Sequence, residues 1–382
     1  MKTSIVLGLG SLFLLAMPLA AAAPSYNSTA PIAYMQDLSS GAVLFARDAD
    51  RRIPPASMAK MMTVYVAFDL LKKGEIKPDQ KMRVSAETWR KWNNQGSSMF
   101  LAVNSNVTVT DLLDGIVTLS GNDACVVLAE GIAGSEEAFS DLMNKKAKDI
   151  GLASSRFGNS NGWPDEGRTI VTARDLARLA AATIRDHPEL YKRYYSKDSF
   201  TWNGITQGNR DPLLGKVKGA DGLKTGHTEE AGYGFTGSAE QNGRRLVMVV
   251  AGLTSFNGRV DESVKFMNWG FGAWKAVPLF AKGKTVDVAK VQLGSAREVK
   301  LIAPRDLALT VPRTAETDRV TLRVVYDGPI KAPTAKGQQV ASLIVSGPDL
   351  PRQVMPLVAG EAVAEAGVFG RLWAGLLSLF GA

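Results

Sequence analysis

The chain has 382 residues, enough for two domains or one large domain with appendages, and its 45% hydrophobic and 21% charged residues exclude a disordered, collagen-like or multi-span membrane protein. The formal net charge is +8. Cys125, the single cysteine, excludes an internal disulfide or a cysteine metal cluster, and the two histidines, His187 and His227, stand too far apart in sequence to suggest histidine-rich metal catalysis.

In chain order, Lys2, the apolar run Ile5 to Met17 and the stretch Ala20-Ala21-Ala22-Ala23 before Pro24 predict a cleaved export signal over residues 1–23. Its removal leaves 44 basic against 37 acidic residues, a charge of +7. That balance favours carboxylate-rich wall polymers or anionic lipid surfaces, and without a basic cluster no nucleic-acid partner is expected.

Ala33 to Asp37 and Ala42 to Arg47 read as strands around the turn Ser39-Ser40-Gly41. Met61, Val64, Phe68 and Leu71 predict a helix over 57–71, introduced by Pro54-Pro55 and stopped by Gly74, with Ser57 at its N-terminus. Helical patterns return over 110–131, with Thr110 as N-cap, over 135–150, and over 172–186 behind Thr172. Lys224-Thr225-Gly226 has the form of a strand. Gly232 to Ala239 and Arg245 to Gly252 flank Asn242-Gly243, a strong hairpin signal, and a helix is predicted over 260–273. The glycine pattern Gly232-x-Gly234-x-x-Gly237 runs into that hairpin and not into a helix, which argues against dinucleotide binding.

These elements predict an α/β domain over 24–275 whose sheet draws on distant parts of the chain, with helices over its faces. After Trp274 the runs 285–293, 298–302, 307–311, 319–326, 339–345 and 353–358 are short and β-rich, and they predict a small β domain over 276–360. Within 361–382, Val368, Phe369, Leu372, Trp373, Leu376, Leu377, Leu379 and Phe380 recur at helical spacing. The uncharged stretch from Leu372 to Ala382 is eleven residues, too short to span a bilayer, so an amphipathic helix lying in a membrane interface is expected.

Three motifs carry chemistry. Ser57-Met58-Ala59-Lys60 sets a hydroxyl and an amine one helical turn apart. Lysine acts as a base only when neutral, which requires its pKa of about 10.4 to fall toward roughly 7–8 through burial or a second cation. Lys224-Thr225-Gly226 supplies such a cation, a hydroxyl and a glycine that lets a substrate backbone approach closely. Ser120-Gly121-Asn122 adds a hydroxyl for proton relay and an amide that can orient both lysine and substrate. Each motif alone is weak, and the three in this order are specific.

With these motifs, with Arg156-Phe157-Gly158-Asn159-Ser160-Asn161-Gly162, Phe200-Thr201-Trp202-Asn203-Gly204-Ile205 and Asp221 to Thr228, the chain resembles the serine D-alanyl-D-alanine carboxypeptidases, low-molecular-mass penicillin-binding proteins of the penicillin-binding protein 5 type. The resemblance runs from about residue 25 to the C-terminus. It implies a β-lactamase/transpeptidase-like catalytic domain, an antiparallel sheet flanked by helices with a helical subdomain, followed by an all-β sandwich that holds it off the inner membrane and a C-terminal amphipathic anchor.

It further implies Ser57 as the acylated nucleophile, Lys60 as general base, Ser120 as proton relay and Asn122 as a positioning group. The backbone N–H groups of Ser57 and His227 resemble an oxyanion hole, with Gly226 allowing the substrate backbone to approach. Lys224, Thr225 and Arg259 would hold the terminal carboxylate. The implied substrate is the D-Ala-D-Ala end of peptidoglycan pentapeptide stems, with β-lactams as covalent inhibitors and no metal or cofactor. The implied place is the periplasm, at the outer face of the inner membrane. A β-lactamase-like hydrolase and a non-catalytic wall or membrane scaffold are the competing readings. No class A loop glutamate pattern occurs around Pro164-Asp165-Glu166-Gly167. A scaffold gives no reason to keep Ser57, Lys60, Ser120 and Lys224 together.

Overall fold

The structure, a computed structural model, describes residues 24–315, 320–347 and 350–367. The expected export signal and residues 368–382 of the expected anchoring helix lie outside the described residues.

The first domain is built on one antiparallel sheet in the order β2-β1-β9-β8-β7, formed by β1 (Ile32–Asp37), β2 (Val43–Arg47), β7 (Ala220–Thr228), β8 (Gly232–Gln241) and β9 (Arg244–Leu253). The first and last of these meet in the middle, with Ile32 opposite Ala251 and Asp37 opposite Leu246. Both faces are covered, so the central strands are apolar on both sides. Tyr34, Val247 and Val249 enter the core beneath α1 (Lys60–Lys73) and α6 (Ala173–Asp186), while Met35, Met248 and Val250 meet α8 (Phe256–Gly272) on the other face.

Between β2 and β7 the chain forms the helical part: a 3-10 turn at Ala56–Ala59, α1, β3 (Lys81–Arg83), α2 (Ala86–Trp92), β4 (Asn106–Thr108), α3 (Val109–Thr118), α4 (Asn122–Ala133), α5 (Glu136–Asp149), α6, and α7 (Pro188–Tyr194). A hairpin of β5 (Ser199–Trp202) and β6 (Ile205–Gly208) leads to β7. Helices α5 and α6 begin where Ser135 and Thr172 accept from the N–H groups of Ala138 and Asp175.

Two expectations are corrected here. The helix expected over 110–131 is two helices, because Ser120 takes φ +64 and turns the chain between them. Its cap is Thr108, whose side chain accepts from Asp111 N, rather than Thr110. The last helix starts at Phe256 behind the Ser255 cap instead of at 260, which places Arg259 on it.

The second domain is all β: β10 (Trp274–Phe280), β11 (Thr285–Gln292), β12 (Glu298–Ile302), β13 (Leu307–Pro312), β14 (Thr321–Val325), β15 (Ile330–Lys331), β16 (Gln339–Ser346) and β17 (Gln353–Ala359). A six-stranded sheet, β14-β16-β17-β12-β11-β15, and the β10–β13 ladder enclose a core that includes Leu301, Leu309, Val311, Leu343 and Leu357. This domain starts at Trp274 rather than 276. Residues 361–366, expected to open the anchoring segment, pair with it instead: Val363 bridges Thr334, Glu365 bridges Gly294, and Ala366 N donates to Leu293 O. The β domain therefore reaches past 360.

The two domains are joined by polar contacts. Asp37, 0% exposed, accepts from Arg244 Nε at 2.5 Å and from Thr310 Oγ1 at 2.8 Å, and Arg305 donates to Ser39 O at 2.7 Å.

Candidate active site

After Pro54-Pro55 the chain tightens into the 3-10 turn, in which Ala56, Met58 and Ala59 are buried and Ser57 alone stays half-exposed. The turn passes directly into α1, so Lys60 is the first residue of that helix and is 0% exposed. Its Nζ lies 2.8 Å from Ser57 Oγ, 2.7 Å from Asn122 Oδ1 and 2.6 Å from the carbonyl oxygen of Asn161. Two of these neighbours can only accept. A neutral amine has two N–H donors and one lone pair, so it can satisfy both carbonyl oxygens and still accept the Ser57 proton. Burial lowers the Lys60 pKa to about 8, and the Arg210 charge acts in the same direction. The lysine is thereby poised as a base near neutral pH.

The surroundings hold this amine in place. Asn122, at the start of α4, donates from Nδ2 to Gln95 O at 3.0 Å, which orients its Oδ1 toward Lys60. The next residue, Asp123, ties the 98–101 loop to the same helix end by accepting from Ser98 Oγ, Met99 N and Leu101 N. On α1, Thr63 Oγ1 donates to Ser160 O at 2.5 Å and so fixes the strand of chain that presents Asn161 O.

Close approach to the turn that carries Ser57 rests on glycines. A Cβ on Gly162, at φ +76, would overlap Ala56 O, and one on Gly226 would come within 2.7 Å of Pro55 O. Gly226 is paired with Gly234, where a Cβ would come within 2.7 Å of Met58 Cε. Strand β7 is thus laid against the turn that carries Ser57. Two further residues lie in the left-handed region without being glycine, Ala56 at φ +48 just before Ser57 and Ser120 at φ +64. Ser120 is 2% exposed.

Beyond Lys60 the site is cationic. Lys224, 3% exposed, donates among the described residues only to Thr225 O at 3.1 Å, and burial, together with Lys60 and Arg210, pushes its pKa well below the ordinary lysine value. Arg259, 4% exposed, has an Nε without a hydrogen-bond partner, and burial lowers its pKa to about 10. Its guanidinium lies over the Tyr233 ring, 5.5 Å from the centroid, and the exposed His227 ring stacks on the other side chain of that pair at 3.8 Å. Thr225 is buried beside Lys224. Buried cations without acid partners form a receptor for an anionic group. Gln95 and Asn161 also line a cavity of about 380 Å³, walled in part by Trp163, Glu136 and Asp165.

Contacts thus unite Ser57, Lys60 and Asn122, and bring Gly226 against the same turn. Lys224 joins them through its charge, and Arg259 and His227 through Tyr233. Sequence reasoning missed Asn161 and Gln95, which act through backbone carbonyls that no side-chain motif encodes. It also missed Arg210, which follows the β5–β6 hairpin and donates to Ser97 Oγ. Cys125 on α4 is 0% exposed, and burial raises its thiol pKa to about 12, so it is inert. Both nitrogens of the other histidine, His187, are buried without partners between Tyr65 and Phe68.

Comparison with known proteins gives two family matches, one described as D-alanyl-D-alanine carboxypeptidase over residues 18–255 and one as penicillin-binding protein 5, C-terminal domain, over residues 274–365. The chain is 38% identical over 349 residues to the D-alanyl-D-alanine carboxypeptidase DacA of Haemophilus influenzae, covering 90% of this chain and 88% of that one. It is 38% identical over 355 residues to DacC of Escherichia coli, covering 92% and 88%. The crystal structure of penicillin binding protein 5 from Haemophilus influenzae superposes with a TM-score of 0.76 at 36% identity, covering 90% of this chain and 99% of that one.

Proposed function

Since the chain belongs to the D-alanyl-D-alanine carboxypeptidase family, we propose that its cleft removes the terminal D-alanine of peptidoglycan pentapeptide stems through an acyl-enzyme on Ser57. It is a serine-type carboxypeptidase and a penicillin-binding protein. The observation that carries the assignment of roles is the buried amine of Lys60, 2.8 Å from Ser57 Oγ and lowered to about 8.

In this mechanism the carboxylate of the substrate enters the cationic end formed by Lys224, Thr225 and Arg259, with Arg210 adding charge. Neutral Lys60 takes the proton as Ser57 Oγ attacks the carbonyl carbon of the penultimate D-alanine. The oxyanion is held by the backbone N–H groups of Ser57 and His227. The C–N bond breaks, the nitrogen of the leaving D-alanine is protonated through Ser120, and water activated by Lys60 then cleaves the ester. Asn122 orients both Lys60 and the acyl donor, and the glycine at 226 lets that donor lie against β7. A β-lactam follows the same first half and leaves Ser57 acylated.

We also propose that the protein works in the periplasm, attached to the outer face of the inner membrane through the amphipathic pattern of residues 368–380, with mainly hydrophobic attraction. Among the described residues no helix is long and apolar enough to cross a membrane. The test of the catalytic reading is D-alanine release from a peptide ending in D-Ala-D-Ala by the full chain and its Ser57→Ala variant. Release by the parent alone supports it, and release by neither folded protein overturns it.

A further inference from the structure

A second cavity lies apart from the active site. A trough of about 730 Å³ lies where α6, the β1–β2 hairpin, the β8–β9 hairpin and the β domain meet, and it shares no lining residue with the Ser57 cleft. Its walls carry five arginines, Arg174, Arg178, Arg185, Arg245 and Arg305, and one acid, Glu240.

The arginines come from three separate parts of the fold. Arg174, Arg178 and Arg185 are spaced at four and seven residues along α6, which puts them on one stripe about 16 Å long. Ala181 and Ala182 lie between the last two and keep the floor of the trough low. Arg245 faces them from β9, and Arg305 from the β domain. Arg174 and Arg185 pair with Asp50 and Asp186, which do not line the trough, and Arg245 pairs with Asp221, which does not, and at 2.7 Å with Glu240, which does. Two arginines are less compensated. Among the described residues Arg305 donates only to the carbonyls of Leu38, Ser39 and Asp306. Arg178 donates to Gly151 O and stands 3.5 Å from an Asp175 whose other oxygen is held by Ser154 N and Ser155 Oγ.

We propose that this interdomain trough binds a ligand with two or more linked phosphate groups. Guanidinium groups attract phosphate oxygens, and three on one wall with two more opposite suit a chain of anionic groups better than one isolated anion. The same phosphate chemistry can come from a soluble oligophosphate or phosphodiester, or from the headgroups of anionic lipids.

The experiment is calorimetric titration of the full chain with inorganic tripolyphosphate at about 0.15 M salt, where weak surface attraction is screened beyond roughly 8 Å. It is repeated on the Arg178→Glu/Arg305→Glu double variant, on Ala181→Trp, which fills the floor without changing charge, and on Arg90→Glu on α2 as a charge control. Flotation with phosphatidylglycerol vesicles is run on the same proteins. At least a tenfold loss of tripolyphosphate affinity in the double variant and in Ala181→Trp, with Arg90→Glu like the parent, supports the site. Vesicle binding weakened by the same two changes assigns the phosphate to a lipid headgroup, and vesicle binding unaffected assigns it to a soluble ligand. No tripolyphosphate binding by the parent, unchanged affinity in folded Ala181→Trp, or an equal loss in Arg90→Glu overturns the proposal.

Discussion

Ser57 and Lys60 lie on two different elements that meet end to end: the hydroxyl leaves a 3-10 turn, the amine leaves the first residue of α1, and Oγ and Nζ are 2.8 Å apart. The change of helix type at Ala59–Lys60 lets Ser57 remain half-exposed while Lys60 is sealed. Hydroxyl and amine thus receive opposite environments within one turn of chain.

Acylation should therefore follow the titration of Lys60. Its folded pKa is lowered to about 8, so the neutral base becomes abundant as pH rises through that value and is lost below it. The rate of Ser57 labelling by a fluorescent penicillin is expected to climb between pH 6.5 and 9 with a midpoint near 8. Lys60→Arg keeps the charge but has no accessible neutral form, and should reduce that rate by roughly 10²–10⁴-fold at every pH. A flat profile in the parent would remove Lys60 from the role of base.

Asn122→Asp probes the same amine from the other side. A carboxylate in place of the amide 2.7 Å from Nζ favours the ammonium form, and an opposite charge at such range moves a pKa by roughly 1–3 units. The labelling profile should shift to higher pH by at least about one unit, with the rate at pH 7 falling about tenfold or more. An unshifted profile would mean that Asn122 does not govern Lys60.

Gly162→Ala tests the close approach behind the nucleophile. The residue has φ +76, and the added methyl would overlap Ala56 O and lie 3.0 Å from Ala59 Cβ, so the turn bearing Ser57 must move. Thermal unfolding should show a loss of about 2 kcal/mol or more, accompanied by slower penicillin labelling. Unchanged labelling in a destabilised protein would separate the glycine from the site.

Asp37→Ala addresses the domain junction. The carboxylate is 0% exposed and its removal leaves Arg244 buried and unpaired, while Thr310 loses its bond across the junction. Urea unfolding is expected to show a loss of about 3–5 kcal/mol. A loss within 1 kcal/mol, roughly that of an exposed pair, would contradict the buried geometry.

His187 makes the fold sensitive to acid. Burial lowers its pKa below 6.5, so the unfolded chain binds the proton more readily than the native one. The stability contributed by the neutral ring is complete above the unfolded value and is lost as pH falls from about 6.5 toward the lower folded pKa. His187→Phe should flatten the fall of the thermal midpoint between pH 7 and 5, and an equally steep fall in that variant would assign the acid sensitivity to other groups.

Much of the fold was legible because periodicity and turn chemistry are local. Gly74 ends α1 in the left-handed conformation that its lack of a Cβ allows, Asn242-Gly243 closes the β8–β9 hairpin, and Thr172 caps α6. The break at Ser120 was not legible. Apolar spacing continues through Leu119 and Ala124, and nothing local says that a serine will take φ +64. Short elements such as α2, α7 and the β5–β6 hairpin also escaped, since four to seven residues give too little pattern to separate a helix from a strand or a loop.

The sequence by itself determined which side chains are available and in what order: a hydroxyl three residues before an amine, a second hydroxyl with an amide, and a lysine on a β-strand. Those are properties of covalent spacing, and the chemistry followed from the family resemblance that they carry. Only the tertiary structure decided that Lys60 is sealed from water, that Asn122 and the backbone of Asn161 supply its two acceptors from residues 62 and 101 positions away, and that Lys224 and Arg259 stand close enough to reinforce one positive field. Burial, charge proximity and shared acceptors are relations between distant segments, so no local pattern carries them. The arginine trough between the domains is of the same kind, five unremarkable cations in sequence that become one surface when the chain folds.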